Sequence, residues 1–191
     1  AGAALCGEKV FLATFAVFAS MRACEQVRTF ICLQGLDVTI LASHGGLQTG
    51  ADGATHIAVE DIAILRAVPG ITIIEPSDFV AAQKLVSKAL MFHGPLYIRF
   101  PKAATSHIHG RDYDMTIGKA NWIRRGKDVT IIACGWILSR ALEAADQLLE
   151  RGIAASVMEM HTVKPLDEEA VLEAAKSTAA IVTVEDHTIL G

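Results

Sequence analysis

"DVTILASHGGLQTGADGATH", residues 37–56, joins an apolar strand-like run to a loop of unusual make-up. Residues 43–56 hold four glycines, two histidines twelve positions apart and an aspartate between them, with no lysine or arginine. In an open parallel sheet, ligands gather at the carboxyl ends of strands. A loop of about a dozen residues at such an end is longer than most strand-to-helix connections and is usually functional. His44 emerges at that edge, and Asp52 and His56 can converge on it as proton-transfer or hydroxyl-binding groups. The glycines let the backbone turn tightly and approach a ligand. Two other readings stand beside this one: glycines that serve only the turn with histidines in solvent, or a metal held by His44, Asp52 and His56, whose spacing fits no compact helix motif. No lysine follows as in a phosphate-cradling loop, and no G-x-G-x-x-G fingerprint is present.

Strand-like and helix-like segments alternate outward from this loop. "KVFLATF" precedes it as a buried strand, followed by a helix from about residue 16 to 34. After the loop, Ile57, Asp61, Ile64 and Leu65 fall at helical spacing, and Pro69-Gly70 ends that helix. "ITIIEPS" is the next strand, Asp78 caps "FVAAQKLVSKALMFH", and "PLYIRF" follows Gly94-Pro95. From Pro101 to about Arg125 the periodicity fades and charges rise, so His107, His109, Arg111, Asp112 and Asp114 suggest an exposed connector. A second alternation then runs from "DVTIIACG" through "ILSRALEAADQLLERG", "AASVMEM" and "DEEAVLEAAKST" to "AIVTVED". Such alternation implies parallel sheets covered on both faces. The expected fold is α/β: two three-layer α/β/α domains with mainly parallel sheets, at 1–110 and 122–191, the second cut short.

Composition narrows the function classes. The chain has 191 residues, 52% hydrophobic and 20% charged, as in ordinary globular proteins. A net charge of −4 with no dominant basic patch argues against nucleic-acid binding. The apolar run at 10–19 is too short to span a bilayer, which argues against membrane insertion. Cys6, Cys24, Cys32 and Cys134 are scattered without metal spacing, which points to free thiols and a cytoplasmic setting. Because the chain opens on Ala1 and stops after a strand-like run, it reads as a piece of a longer polypeptide.

The stretches "ATFAVFASMRACEQVR", "SHGGLQTGADGATHIAVEDIAILRAVPGITIIEPSD", "GPLYIRFPK" and "HTVKPLDEEAV", in that order, resemble the transketolase family of thiamine diphosphate enzymes. The first part resembles the pyrimidine-binding domain, and residues from about 122 resemble the start of the carboxyl-terminal domain. The resemblance implies a transferase moving a two-carbon ketol unit between sugar phosphates, as in the pentose phosphate pathway. Deoxyxylulose phosphate synthases and 2-oxo-acid dehydrogenase beta subunits are relatives and alternatives, as is a non-catalytic interaction module. Phe15 and Phe18 match aromatics that stack on the cofactor's pyrimidine, with ordinary core packing as the rival reading, and Met21 stands where another aromatic is common. His44 and His56 match catalytic histidines, and Asp52 matches an aspartate that holds a sugar hydroxyl. Lys102, or else Arg99, falls about where an arginine meets the substrate phosphate, although Lys102 could equally be a solvated surface cation. The resemblance further implies that the glutamate acting on the pyrimidine nitrogen and the diphosphate-binding domain with its magnesium lie outside this chain. Isolated, the chain is then expected to be inactive. It would work beside a diphosphate-binding domain or subunit in a homodimer or heterotetramer. Ala51 replaces the family's usual glutamate before the aspartate.

Overall fold

The computed structural model describes residues 1–191. After a short helix α1 (Gly2–Leu5), the amino-terminal part alternates β1 (Val10–Phe15), α2 (Cys24–Gln26), β2 (Val38–Ser43), α3 (Asp61–Arg66), β3 (Thr72–Ile74), α4 (Phe79–Met91) and β4 (Leu96–Arg99). The remainder contributes β5 (Asn121–Arg124), β6 (Val129–Ala133), α5 (Leu138–Glu150), β7 (Ala155–Glu159), β8 (Thr162–Lys164), α6 (Glu168–Ser177) and β9 (Ala180–Val184). The first sheet has the order β1-β2-β4-β3-β8 and the second β5-β7-β6-β9. Strands β1 to β4 are parallel, as are β6, β7 and β9, while β8 and β5 pair antiparallel with β3 and β7.

Each sheet is apolar on both faces. On β3, Ile73 packs with Leu65 and Val68 on one side, whereas Ile74 packs with Leu85 and Ala89 of α4 on the other. In the second sheet, Ile131 faces α5 through Leu138 and Ala141, and Ile132 faces α6 through Ala170 and Ala174. Burial of alternate residues on opposite faces is what two covering helix layers require. The α/β architecture with two mainly parallel sheets is the one expected.

Three local expectations differ. The single helix over 16–34 is instead a pair of π-helical stretches, Phe18–Arg22 and Val27–Cys32, flanking α2. Their wider turns show as the Ala23 N–H donating to the Phe18 carbonyl and the Leu33 N–H to that of Arg28, both at 2.9 Å. The connector is not uniformly exposed: it contains β5, and His109 is buried beside Ser77 and Glu159, 3.0 and 3.1 Å from its Nε2. Tyr113 donates to the other oxygen of Glu159 at 2.8 Å. Burial pushes the Glu159 carboxyl up, but His109, Ser77 and Tyr113 together hold it below the usual carboxylate range. His107, Arg111, Asp112 and Asp114 do lie exposed. Finally β8, from the carboxyl-terminal run, completes the first sheet, so the two alternating runs share a sheet.

Candidate functional site

Neighbouring strands β1 and β2 run parallel and end together, with Phe15 opposite Ser43. Their carboxyl ends therefore deliver Phe15 and the glycine-rich loop to one edge. His44 stacks on Phe15 with ring centroids 3.8 Å apart. Phe18 stacks on Phe15 at 5.5 Å, and His56 meets both phenylalanines edge-on at 5.9 and 5.5 Å. Arg22 lies 4.5 Å above the Phe18 ring. Met21 sits on the same π-helical turn as Phe18, 41% exposed. The sequence-predicted residues Phe15, Phe18, His44 and His56 thus form one aromatic group.

The loop is a 3-10 stretch, Leu47–Asp52, kinked at Gly50. His44 takes a left-handed φ of 62°, which costs a non-glycine residue about 1 kcal/mol or more. The Thr49 hydroxyl, pointing at the His44 carbonyl (2.9 Å) and the Gly46 carbonyl (3.1 Å), ties the turn internally. The Gly45 N–H donates to the Phe100 carbonyl at 3.0 Å and the Gly46 N–H to the Ala58 carbonyl at 2.8 Å. Two of the four glycines approach protein rather than a ligand, contrary to expectation. A Cβ at Gly45 would lie 2.5 Å from Arg99 Nε, and one at Gly46 would lie 1.9 Å from Asp186 Oδ2. Gly50 and Gly53 have positive φ and open space.

On the solvent side, Lys102 Nζ bonds Asp52 Oδ2 at 2.6 Å, and His44 Nε2 lies 3.7 Å from the same oxygen. The Lys102 hydrogen bond holds the Asp52 carboxyl below its ordinary range. Ser43 Oγ lies 2.9 Å from His44 Nδ1, and Thr55 Oγ1 lies 3.0 Å from His56 Nδ1. Lys102 thus enters the loop from the chain beyond β4, with its charge matched by Asp52.

Arg99 is not a surface cation for a phosphate: its side chain is 1% exposed. Its Nε donates to Asp61 at 2.9 Å, Nη1 to Glu75 at 2.7 Å, and Nη2 to the carbonyls of Ala58 and Asp186 at 2.9 and 3.0 Å. Tyr97 donates to Asp61 at 2.7 Å. Asp61, in the first turn of α3, is a buried partner in this cluster. Burial pushes the Glu75 carboxyl up, with Arg99 opposing it. The neighbouring Cys134 thiol is raised by burial and then by Glu75. Sequence reasoning missed Glu75, Tyr97 and Cys134 as members of this buried cluster and Asp186 as the carboxylate against Gly46. The available signal was a charged residue inside each of two apolar runs, "LYIRF" and "ITIIEPS".

The rings of Phe15 and Phe18, partly exposed and flanked by two histidines, suit a flat heteroaromatic group such as the thiamine pyrimidine. Magnesium does not fit the residues present: no group of three or more histidine, cysteine, aspartate or glutamate side chains is gathered to hold a metal. No helix is long and apolar enough to cross a membrane.

Residues 1–107 match the family described as transketolase, pyrimidine binding domain, and residues 118–191 match transketolase, C-terminal domain. Over 191 residues, the whole chain is 40% identical to the 6-deoxy-6-sulfo-D-fructose transketolase subunit SqwH of Clostridium sp. (strain MSTE9), covering 59% of that protein. It is 42% identical, again over its full length, to a putative transketolase C-terminal section of Methanocaldococcus jannaschii, covering 60% of it. A solved structure described as split gene transketolase, inactive beta4 tetramer, superposes with a TM-score of 0.92 at 38% identity, covering 100% of this chain and 61% of that one. The chain therefore spans about three fifths of the length of these relatives. Matched along almost all of its length to the two domains in their order, this chain belongs to the transketolase family.

Proposed function

We propose that this chain forms the pyrimidine-side half of a thiamine diphosphate-dependent transferase that moves a two-carbon ketol unit between sugar phosphates. The observation that carries this reading is the convergence of His44 and His56 on the Phe15–Phe18 pair, with Asp52 beside His44. Bound thiamine diphosphate would supply the electron sink for carbon–carbon bond cleavage. Phe15 and Phe18 would hold the pyrimidine, with Met21 at its margin. A second chain or domain would grip the diphosphate and its magnesium and bring the carboxylate that faces the pyrimidine nitrogen.

Within this half, the loop residues divide the work. His44 and His56 hold sugar hydroxyls and exchange protons with them, a task suited to imidazoles near neutral pH. Asp52, ionised and acceptor-only, receives a sugar hydroxyl with whatever lone pairs Lys102 leaves free. Lys102 is the remaining candidate for the anionic end of the substrate, and it would have to share its charge between Asp52 and that group.

The test combines this chain with its diphosphate-binding partner and follows ketol transfer from a ketose phosphate to an aldose phosphate. Transfer should require the partner and thiamine diphosphate. His56→Ala should reduce turnover by about a hundredfold, the low end for a positioned acid–base group. Use of pyruvate in place of the ketose donor would favour the deoxyxylulose phosphate synthase type. An unchanged rate in the His56→Ala enzyme would remove His56 from the catalytic set.

A further inference from the structure

The second sheet reaches the histidine-bearing loop through one buried carboxylate. Asp186 lies just beyond the carboxyl end of β9 and is 6% exposed. Its Oδ1 accepts the Leu47 backbone N–H at 3.0 Å, and its Oδ2 accepts the Trp136 indole N–H at 2.8 Å. Trp136 follows β6 in a short 3-10 turn, so both Asp186 and the residue that orients it belong to the second sheet. The carbonyl of Asp186 in turn accepts from Arg99 at 3.0 Å. The absence of a side chain at Gly46 is what lets the carboxylate approach, since a Cβ there would meet Oδ2 at 1.9 Å.

We infer that Asp186 is a positioning residue for the loop, fixing the backbone at Gly46–Leu47 and through it the ring of His44 over Phe15. A left-handed non-glycine residue persists only where its surroundings over-determine it. His44 is such a residue, and the amides of Gly45 and Gly46 are held by carbonyls of residues that surround the first sheet. The next amide, that of Leu47, is held from the second sheet. The chemistry requires a carboxylate in particular. Two N–H donors arrive on two different oxygens, and a carboxylate accepts on both. An asparagine offers one oxygen, and its amide group would face one of the donors. The second sheet thereby sets the shape of a site whose ring-bearing residues all come from the first.

The consequence for turnover rests on the proposed function, whereas the loop geometry can be read from the chain alone. Hydrogen exchange of the 43–56 segment and the imidazole proton resonances of His44, shifted by the Phe15 ring current, report it directly. Asp186→Asn should speed exchange in 43–56 by at least about tenfold, the loss of one buried charge-assisted bond, and move the His44 resonances, while β2 and β4 stay protected. Adding Trp136→Phe to Asp186→Asn removes the opposed donor and should restore most of both signals. Leu47→Pro deletes the same N–H from a residue 67% exposed, and should reproduce the loop change even if Asp186→Asn does not fold. A folded Asp186→Asn chain, or a Leu47→Pro chain, with unaltered 43–56 exchange and unaltered His44 resonances would overturn the assignment. Altered loop signals together with full turnover in the complete enzyme would support the positioning and count against the proposed role of His44.

Discussion

Replacing Arg99 by methionine tests the buried cluster under the loop. The guanidinium serves two carboxylates, Asp61 and Glu75, and two backbone carbonyls, all within 2.7–3.0 Å. Methionine fills part of the space but takes a donor from four acceptors, of which the Ala58 carbonyl keeps the Gly46 N–H and Asp61 keeps the Tyr97 hydroxyl. Removing one partner of a buried ion pair costs about 3–5 kcal/mol, and here one cation is shared by two carboxylates. Against a total stability of about 5–15 kcal/mol for a protein of this kind, the loss is a fifth or more of the whole. Arg99→Lys keeps the charge but not the planar fork, and should recover only part of it.

The pH dependence gives the sharper test. Burial already raises the Glu75 carboxyl, and Arg99 restrains that rise. Without Arg99, folded Glu75 holds a proton that the unfolded chain has released. Stability from such groups is fully present below the unfolded carboxylate range and lost as pH rises through their folded values. The deficit of Arg99→Met relative to wild type should therefore shrink between pH 7 and pH 5. Urea unfolding followed by circular dichroism at both pH values measures it. A deficit below about 1 kcal/mol at pH 7, the size of a surface change, or one equal at both pH values, would refute the reasoning.

Three further outcomes follow from single contacts. Gly46→Ala should lower the melting temperature by several degrees more than Gly50→Ala, because both glycines have positive φ but only Gly46 faces an atom, Asp186 Oδ2, at 1.9 Å. Equal shifts from differential scanning calorimetry would deny that contact. Asp78→Ala should cost about 2–4 kcal/mol, a cap plus buried amides left unpaired, because Asp78 accepts from Ala81, Ile108 and His109 at 2.8 Å each; denaturant melts read it directly, and a loss under half that range would mean that the connector is held elsewhere. Burial pushes the Cys32 thiol from 9.0 to about 11, with Lys164 opposing. Its raised value makes the thiol's contribution constant below pH 9.0 and falling up to about 11, a part of the alkaline decline that Cys32→Ala should remove from a pH series of unfolding measurements.

The alternation of strands and helices was legible because burial on both faces writes itself as short apolar runs between helical ones. Asp78 was legible as a cap for the same local reason, and it does accept from Ala81. The π-helical turns at 18–32 left no mark, since no glycine or proline interrupts that stretch. Strand β8 has three residues, too few for periodicity, and its partner β3 lies about ninety positions away in sequence. The aromatic group was not derivable from spacing: Phe15 and His56 are far apart in sequence, and only the family resemblance brought them together. Arg99 was misjudged because a charged residue in an apolar run can be a surface tip or a buried pair. Which it is depends on partners 24 and 38 residues distant.

The missing cations of the 43–56 loop have a structural explanation in strand β4. Arg99, its last residue, turns inward beneath Gly45, and Lys102, three positions on, reaches Asp52 on the solvent side. One strand end thus supplies a buried charge and an exposed charge to opposite faces of the same loop. Arg99 is fixed by β4, whose four residues are all buried, whereas Lys102 lies beyond the strand and is held by Asp52 of the loop itself. Apart from Leu47 and Gln48, the loop carries small residues, hydroxyls, imidazoles and one carboxylate, and the polar ones among these can hydrogen-bond a hydroxyl at close range.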